Sequence, residues 1–575
     1  MYYKRMKRGI IVGVMVAAII AGLLILLKMP MSKPSATIPN ATASLRSSAA
    51  APEIALAWQS PQLIERHWLM ERGMYQRAWA WDTFIKGIVQ VSPDGKYVAV
   101  GTQRGEVVVF DRNGREVAKF TYGAGRVPYY VLEFSPDSKY LAVGIASREG
   151  ELIVYDTATW REVAHFNFSS YLKGPSNATE STIQKQPWNG VRPTFLLFRG
   201  DVLYVAVSET YIDPKTQSPL YFKVAIDLFK LYPELRRRFP NLTSYIAARY
   251  AGICWSRVLA IDVKTWRVRW VWPREGPAES MIPNLASDTE GRYLSLTTWW
   301  YTSRSDPYRW HSGMLFVLNA TSGEVLYVFD VPPYVPYFNY TSTWTAPAFT
   351  PDGKYLALAT GEGRVFVLDN LRSIAERRPA VLWTASLSEV LPAQVLLIPT
   401  KGGETKVIQS YIYTYGGLAG VANNRIIAYT SNTYATYWAP GVERKPVMQH
   451  PNQTKLFVFD LNGTLLYIDK FFGMPMYGKV VPFATSGCLM AVGVGNDWVT
   501  SDVSMMGVYV WDVCRLAQVG RFLTSKYGVP LDVAISGNRI YVLTGPINAA
   551  PSETAPANII GEYQLLALEL GRPAG

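Results

Sequence analysis

Histidine and cysteine are scarce in this chain, four and three among 575 residues. His67, His165, His311 and His450 never fall at zinc-ligand spacing, and no H-E-x-x-H run occurs. We therefore expect no metal centre. No G-x-S-x-G turn is present to expose a serine nucleophile. No phosphate-cradling glycine loop opens a helix either, since "GVGNDW" from Gly493 closes an apolar strand. Three cysteines are too few for a disulfide scaffold. Dense basic runs are also lacking. The net charge is +13, yet beyond the N-terminus only Arg236–Arg238 forms a cluster. A nucleic-acid partner wants basic residues gathered on a recognisable module, so none is expected. No catalytic residue and no cofactor is assigned. A carboxylate pair stays open, because Asp and Glu total 44.

What is present is repetition. "VSPDGKYVAVG" from Val91, "FSPDSKYLAVG" from Phe134 and "FTPDGKYLALAT" from Phe349 are nearly one sentence. Pro93, Pro136 and Pro351 pre-set φ for a type I turn, and the flanking residues are β-branched or aromatic. Each copy reads as strand-turn-strand. A third apolar run ending in an acid or amide follows. It ends at Asp111, Asp156, Asp262, Asn319, Asp369, Asp460, Asp512 and Glu569, which makes eight units. A fourth strand often comes next, as in "REVAKF" from Arg115 and "GEVLYVF" from Gly323. Four strands at a minimum period of about 45 residues predict an all-β protein, a β-propeller of about eight four-stranded blades.

These motifs resemble the WD40-like propellers of the TolB, dipeptidyl-peptidase and YVTN type. The Gly-His pair of a standard WD40 repeat is missing, and Trp-Asp ends a third strand once, at Trp511-Asp512. The resemblance implies fold and leaves function open. The catalytic half of dipeptidyl-peptidase-type enzymes has no counterpart. Nor are any two of Cys254, Cys488 and Cys514 adjacent, as they often are beside the cofactor of propeller quinoproteins. The last unit has no room for its fourth strand, so an N-terminal strand should close the ring, and "QRAWAWD", Gln76 to Asp82, is the expected one.

The N-terminus reads differently. Residues 1–9 carry Lys4, Arg5, Lys7 and Arg8, and Ile10 to Leu27 follows without a charge. Eighteen residues in a helix cover about 27 Å, near the hydrocarbon thickness. We expect one transmembrane helix with 1–9 in the cytoplasm and the propeller outside the cell. A cleaved secretory signal is the rival, although its apolar core is usually shorter. "KRG" before "IIVGV" also resembles an archaeal class III, pilin-like processing site after Gly9. Residues 28–53 are rich in Pro, Ser, Ala and Thr and read as a stalk. The propeller domain is assigned to 54–575.

Sequons at Asn40, Asn167, Asn177, Asn241, Asn319, Asn339, Asn452 and Asn462 agree with an outside location. Cys488 and Cys514 fall on neighbouring strands of the seventh unit and are expected to form a disulfide. In later units the links between second and third strands, and between blades, are long. They carry Trp299, Trp300, Tyr301, Trp310, Tyr337, Tyr340, Tyr434, Tyr437 and Trp438. Exposed indoles and phenols suit sugar rings and protein hot spots, and packing of the loops on themselves is the alternative use. The expected function is a membrane-anchored recognition or scaffold module for a glycan, peptide or cell-envelope partner. The alternatives are a propeller enzyme with a channel site, acting on carbohydrate or as a quinone-dependent dehydrogenase, and a subunit of a pilin-like filament.

Overall fold

The computed structural model describes residues 54–77, 85–172, 190–210, 254–278, 280–299, 313–332, 343, 345–361, 363–387, 394–399, 405–410, 416–430, 434–436, 446–449, 454–471, 483–495, 503–550 and 556–571. Eight four-stranded antiparallel sheets follow one another along the chain. Blade 1 is Gly87–Val91, Tyr97–Thr102, Glu106–Asp111 and Glu116–Thr121, and blade 2 is Val127–Phe134, Tyr140–Ala146, Glu151–Asp156 and Glu162–Asn167. Blade 3 is Val191–Arg199, Val202–Thr210, Cys254–Asp262 and Arg267–Trp272, and blade 4 is Leu285–Ser287, Tyr293–Thr297, Met314–Asn319 and Val325–Asp330. Blade 5 is Ala348–Phe349, Tyr355–Ala359, Arg364–Asp369 and Val381–Ser386, and blade 6 is Gly416–Ala422, Arg425–Thr430, Thr454–Phe459 and Leu465–Phe471. Blade 7 is Phe483–Ser486, Leu489–Val494, Gly507–Asp512 and Ala517–Leu523. Blade 8 takes Val529–Ser536, Arg539–Gly545 and Gln564–Glu569 from the C-terminus and its outer strand, Ala55–Gln59, from the N-terminus. The chain is an eight-bladed β-propeller, as the repeat predicts.

The closing strand is a correction. Ala55–Gln59, "ALAWQ", pairs antiparallel with Gln564–Glu569, and Leu56 and Trp58 turn inward on alternate positions. Gln76–Arg77 pairs in parallel with Ile547–Asn548 instead, and 78–82 of the expected strand lies outside the described residues. Both segments alternate, so periodicity could not choose between them. Packing does. The segment between them places Ile64, Leu69 and Met74 in the core joining blades 8 and 1, beside Val98, Leu543 and Tyr563. Closing on the later strand would leave that apolar material unburied.

The repeated turn works as its residues suggest. The Ser92 hydroxyl accepts from Tyr97 N at 3.0 Å and donates to Asp94 at 2.7 Å, and Asp94 accepts from Lys96 N at 3.1 Å. Ser135–Asp137 and Thr350–Asp352 repeat the pattern. Blade 4 holds a fourth version that the quoted motif misses. In "SDTEGRY" the Asp288 carboxylate itself accepts from Arg292 N at 2.8 Å and Tyr293 N at 3.1 Å. One side chain there does the work of two.

In all eight blades the third and fourth strands shift register near the C-terminal end of the third. The shift inserts one residue into the outer strand, a β-bulge. A bulge raises local twist and spoils the outer edge as a template for another chain.

The seams between blades use an indole. Trp58 on the outer strand of blade 8 reaches beneath the third-to-fourth turn of blade 1 and donates to Arg112 O at 2.9 Å. Trp270 of blade 3 donates to Ala320 O of blade 4 at 3.1 Å, and Trp383 of blade 5 to Leu461 O of blade 6 at 2.9 Å. The turn residue above each ring is glycine. A Cβ at Gly114, Gly323 or Gly463 would meet that indole at 2.7, 2.8 or 2.9 Å.

Candidate functional site

The strand bounds sort the connections onto two faces. First-to-second and third-to-fourth links emerge on one side, here the lower face, and are short in most blades, such as 92–96, 135–139 and 423–424. Blade 5 is the exception, with a helix between its last two strands. Second-to-third and blade-to-blade links emerge on the upper face. There blades 1 and 2 use 103–105 and 147–150, whereas blades 3, 4, 6 and 8 use 211–253, 298–313, 431–453 and 546–563. Short links on one face and long unequal ones on the other make the upper face the candidate site, since binding residues concentrate on loops held by a rigid scaffold.

One sector of this face is filled by the chain itself. After closing the ring, 60–77 crosses blades 8 and 1. Leu63 N donates to Tyr563 O at 2.8 Å, and Ser60 N to Leu565 O at 2.8 Å. Arg66 pairs with Glu562 and Arg104 with Glu65 at 2.6 Å. Arg72 lies 4.2 Å over the Trp68 ring, and Arg104 lies 6.0 Å from it. Beneath, Tyr563 is fully buried and donates to Lys86 O at 2.9 Å, and burial pushes its phenol far above the ordinary range. This sector is a latch, filled by the chain itself.

At blade 3 the upper strand ends carry polar groups that sequence reasoning passed over. Arg192, Ser208, Glu209 and Ser256 are all buried there. Arg192 sits opposite Ser208, and Ser208 opposite Ser256, with the two hydroxyls 2.6 Å apart. Glu209 is on the next row, opposite Val191 and Trp255. The signal was present: Arg192 and Glu209 interrupt otherwise apolar strands. Buried ionisable groups of this kind are held by partners and are favoured at functional sites. Arg192 and the Ser208–Ser256 pair turn to one face of the sheet and Glu209 to the other, so they lie buried in the two seams beside blade 3, near the point where 211–253 leaves the sheet.

The expected aromatic residues fall mostly beyond the described part. Trp300, Tyr301, Trp310, Tyr337, Tyr340, Tyr437 and Trp438 lie outside the described residues. Trp299 is half-buried, and its N donates to Met281 O at 2.8 Å, continuing blade 4 upward. Tyr434 begins the short strand Tyr434–Thr436, which pairs with Pro446–Gln449 as a hairpin above blade 6. A second hairpin, Gln394–Pro399 with Thr405–Ser410, precedes blade 6 and stands outside its four-stranded sheet.

Of the sequons, Asn167 and Asn462 are exposed. Asn319 is half-buried and accepts from Thr321 N at 2.9 Å and Ser322 N at 3.2 Å. Asn40, Asn177, Asn241, Asn339 and Asn452 lie outside the described residues, as does Ile10 to Leu27. No helix among the described residues is long and apolar enough to cross a membrane. Cys488 and Cys514 are joined by a disulfide with Cα atoms 5.5 Å apart on the lower face of blade 7. With Asp512 they are the only grouping of metal-ligand side chains among the described residues. The Asp512 carboxylate already accepts from Cys514 N and Arg515 N at 3.0 and 2.9 Å, which is a turn role.

The lower-face carboxylates behave alike. The Thr350 hydroxyl, then Lys354 N, hold Asp352 below the ordinary range, and Arg269, then Thr265 N, do so for Asp262. His165 lies 3.1 Å from Glu151, which also pairs with Arg126. Each of these is explained as a turn or an ion pair.

No protein-family model matches the sequence, and no curated protein matches it. Among solved structures the chain is similar to BamB from Moraxella catarrhalis, at 12% identity and TM-score 0.42, over 85% of this chain and 99% of that one. It is also similar to the computationally designed Ika8 protein, at 10% identity and TM-score 0.45, over 86% and 100% of the two chains. The C-terminal WD40 domain of Sif2 matches at 10% identity and TM-score 0.45, over 91% and 100%. Likeness at this level carries neither ligand nor activity across, and the architecture rests on the strand ladders themselves.

Proposed function

We propose that this chain is a membrane-anchored recognition or scaffold propeller, held outside the cell by Ile10 to Leu27, whose upper face over blades 3 to 7 binds a protein or glycan partner. The observation that carries the reading is the asymmetry of the connections. The lower face is almost all tight turns, and the upper face holds long links of unequal length over a closed ring. A rigid ring with variable loops on one side is built to present a surface.

The register supplies a clean test. Thr210 and Cys254 face each other directly across the ladder. A two-residue Asn-Gly turn can therefore replace 211–253 without disturbing the sheet. The full chain and the shortened chain are each isolated from native membranes, and co-purifying protein and glycan are identified. The shortened chain is expected to keep the melting temperature of the parent and to lose its partner. An unchanged partner set with an unchanged melting temperature would remove blade 3 from the site.

A further inference from the structure

The lower face carries one feature that turn-making does not explain. Among the described residues five large apolar side chains are exposed, and four of them share one rim: Val325 at 39%, Leu371 at 43%, Val381 at 40% and Leu382 at 45%. Blade 5 builds this rim by replacing a tight turn with the helix Asn370–Glu376, capped by the Asp369 carboxylate accepting from Arg372 N. Asn370 accepts from the Tyr327 hydroxyl of blade 4 at 3.0 Å, and Ile374 packs into the same seam. The helix is thereby fixed, with Leu371 outward. Val325 lies two residues before Tyr327. Val381 begins the outer strand of blade 5, and Leu382 is its bulge residue.

The charges around it favour arginine, with Glu324 beside Val325 as an exposed acid. Arg372, Arg377 and Arg378 face a single acid on the helix, Glu376. Glu376 is shared by Arg372 at 2.7 Å and Arg378 at 2.9 Å, and those arginines are 61% and 72% exposed. Protruding aliphatic groups beside an arginine-rich helix end suit an anionic lipid surface, where the apolar groups enter the headgroup layer and the guanidiniums meet phosphate.

The entry point of the chain agrees. Ala55 pairs with Glu569, at the lower end of its blade, and the outer strand rises from there. Ile54, where the described chain begins, lies between the outer strands of blades 8 and 7, with its N donating to Arg521 O at 3.1 Å. Blades 4 and 5 stand across the ring from it. We propose that the blade 5 rim is a second membrane contact, which lays the lower face along an anionic bilayer and turns the upper face away from it. The Pro-, Ser-, Ala- and Thr-rich composition of 28–53, expected as a stalk, is compatible with that posture. The proposal rests on the anchored reading given above.

The test uses the full chain in vesicles of phosphatidylcholine, with or without phosphatidylglycerol, containing a lipid-borne fluorescence quencher. A dye is placed at Ala375→Cys on the rim or at Arg148→Cys on the upper face, both in a Cys254→Ala background. Quenching at 375 is expected to exceed that at 148 several-fold in the anionic vesicles. It should fall to the level of 148 in phosphatidylcholine alone and in Arg372→Glu/Arg377→Glu/Arg378→Glu. Flotation after an alkaline wash reads the anchor separately. A chain that stays with the vesicles without selective quenching at 375 keeps the anchor, overturns the rim contact and leaves that surface to a protein partner. A chain that washes off yet was quenched at 375 beforehand supports the rim and sinks the anchor. Loss of both signals overturns both.

Discussion

Two kinds of seam join the blades. Where blades 8 and 1, 3 and 4, or 5 and 6 meet, the earlier blade supplies an indole from its outer strand and the later blade opens a space with glycine. Where blades 1 and 2 or 2 and 3 meet, the direction reverses. The later blade's own turn residue is the tryptophan, Trp160 or Trp266, at φ 56° and 51°. Each reaches back to a tyrosine of the second strand of the earlier blade, Tyr97 at 5.1 Å and Tyr140 at 5.2 Å. The space needs one large ring and is indifferent to which blade gives it. The cost moves instead. A tryptophan at positive φ is strained by about 1 kcal/mol, while a glycine there is not but must receive its ring from elsewhere.

The largest effect should come from removing a strand-borne ring. Trp270 is 8% exposed and packs 5.9 Å from Tyr204. Trp270→Ala is expected to cost about 4 kcal/mol, because a buried cavity and a lost hydrogen bond add together. Trp160 is half-buried, so Trp160→Ala should cost about 2 kcal/mol. Urea midpoints of the two variants decide it. Equal costs would mean that the two seam types are one.

The seam between blades 6 and 7 departs from both. Its turn residue is Leu516 at φ 57°, half-buried. Two residues earlier stands Cys514, tied to Cys488 across a separation of 26 residues, and Asn423 of blade 6 donates to the Cys514 sulfur at 3.2 Å. The disulfide ties this turn to the first-to-second link of blade 7, while Tyr467 of blade 6, at the register position of Trp58, Trp270 and Trp383, packs in the same cluster as Leu516. Cys488→Ser/Cys514→Ser is expected to lose about 3 kcal/mol, the loop-entropy scale for such a ring size. Thiol labelling of the unreduced, denatured chain should find Cys254 alone. Reaction at all three cysteines would sink the claim.

How much of this was legible follows from how far apart the partners lie. The Ser-Pro-Asp turns are complete within ten residues, so three could be read directly, and with the third strands they gave the eight blades. The fourth turn was hidden because Asp288 replaced a Ser-Asp pair, a change of chemistry within an unchanged geometry. The closing strand was misplaced because "ALAWQ" and "QRAWAW" alternate equally, and only the buried Ile64, Leu69 and Met74 between them decide the matter. The seam partners were invisible for the same reason, since Trp270 and Gly323 are joined by no local pattern. At the candidate site the long upper links could be counted from the strand runs. Arg192 and Glu209 were missed because a charge inside a strand was weighed less than an aromatic in a loop.

The finest comparison sets one glycine against another. Gly323 has φ 71°, and a Cβ there would sit 2.8 Å from the Trp270 ring; Gly123 has φ 84°, and a Cβ there would meet nothing within 4 Å. Both alanine variants carry the left-handed strain, about 1 kcal/mol. Gly323→Ala must also push the indole, whose Nε1 is fixed to Ala320 O, and overpacking of this kind adds about 1–2 kcal/mol. Gly323→Ala should therefore cost about twice as much as Gly123→Ala or more, and the excess should vanish once the ring is gone. In a Trp270→Ala background Gly323→Ala is expected to cost no more than Gly123→Ala does in the parent. If the two substitutions at the seam simply add, the glycine is there for its backbone alone, and the pairing of indole with open turn is coincidence.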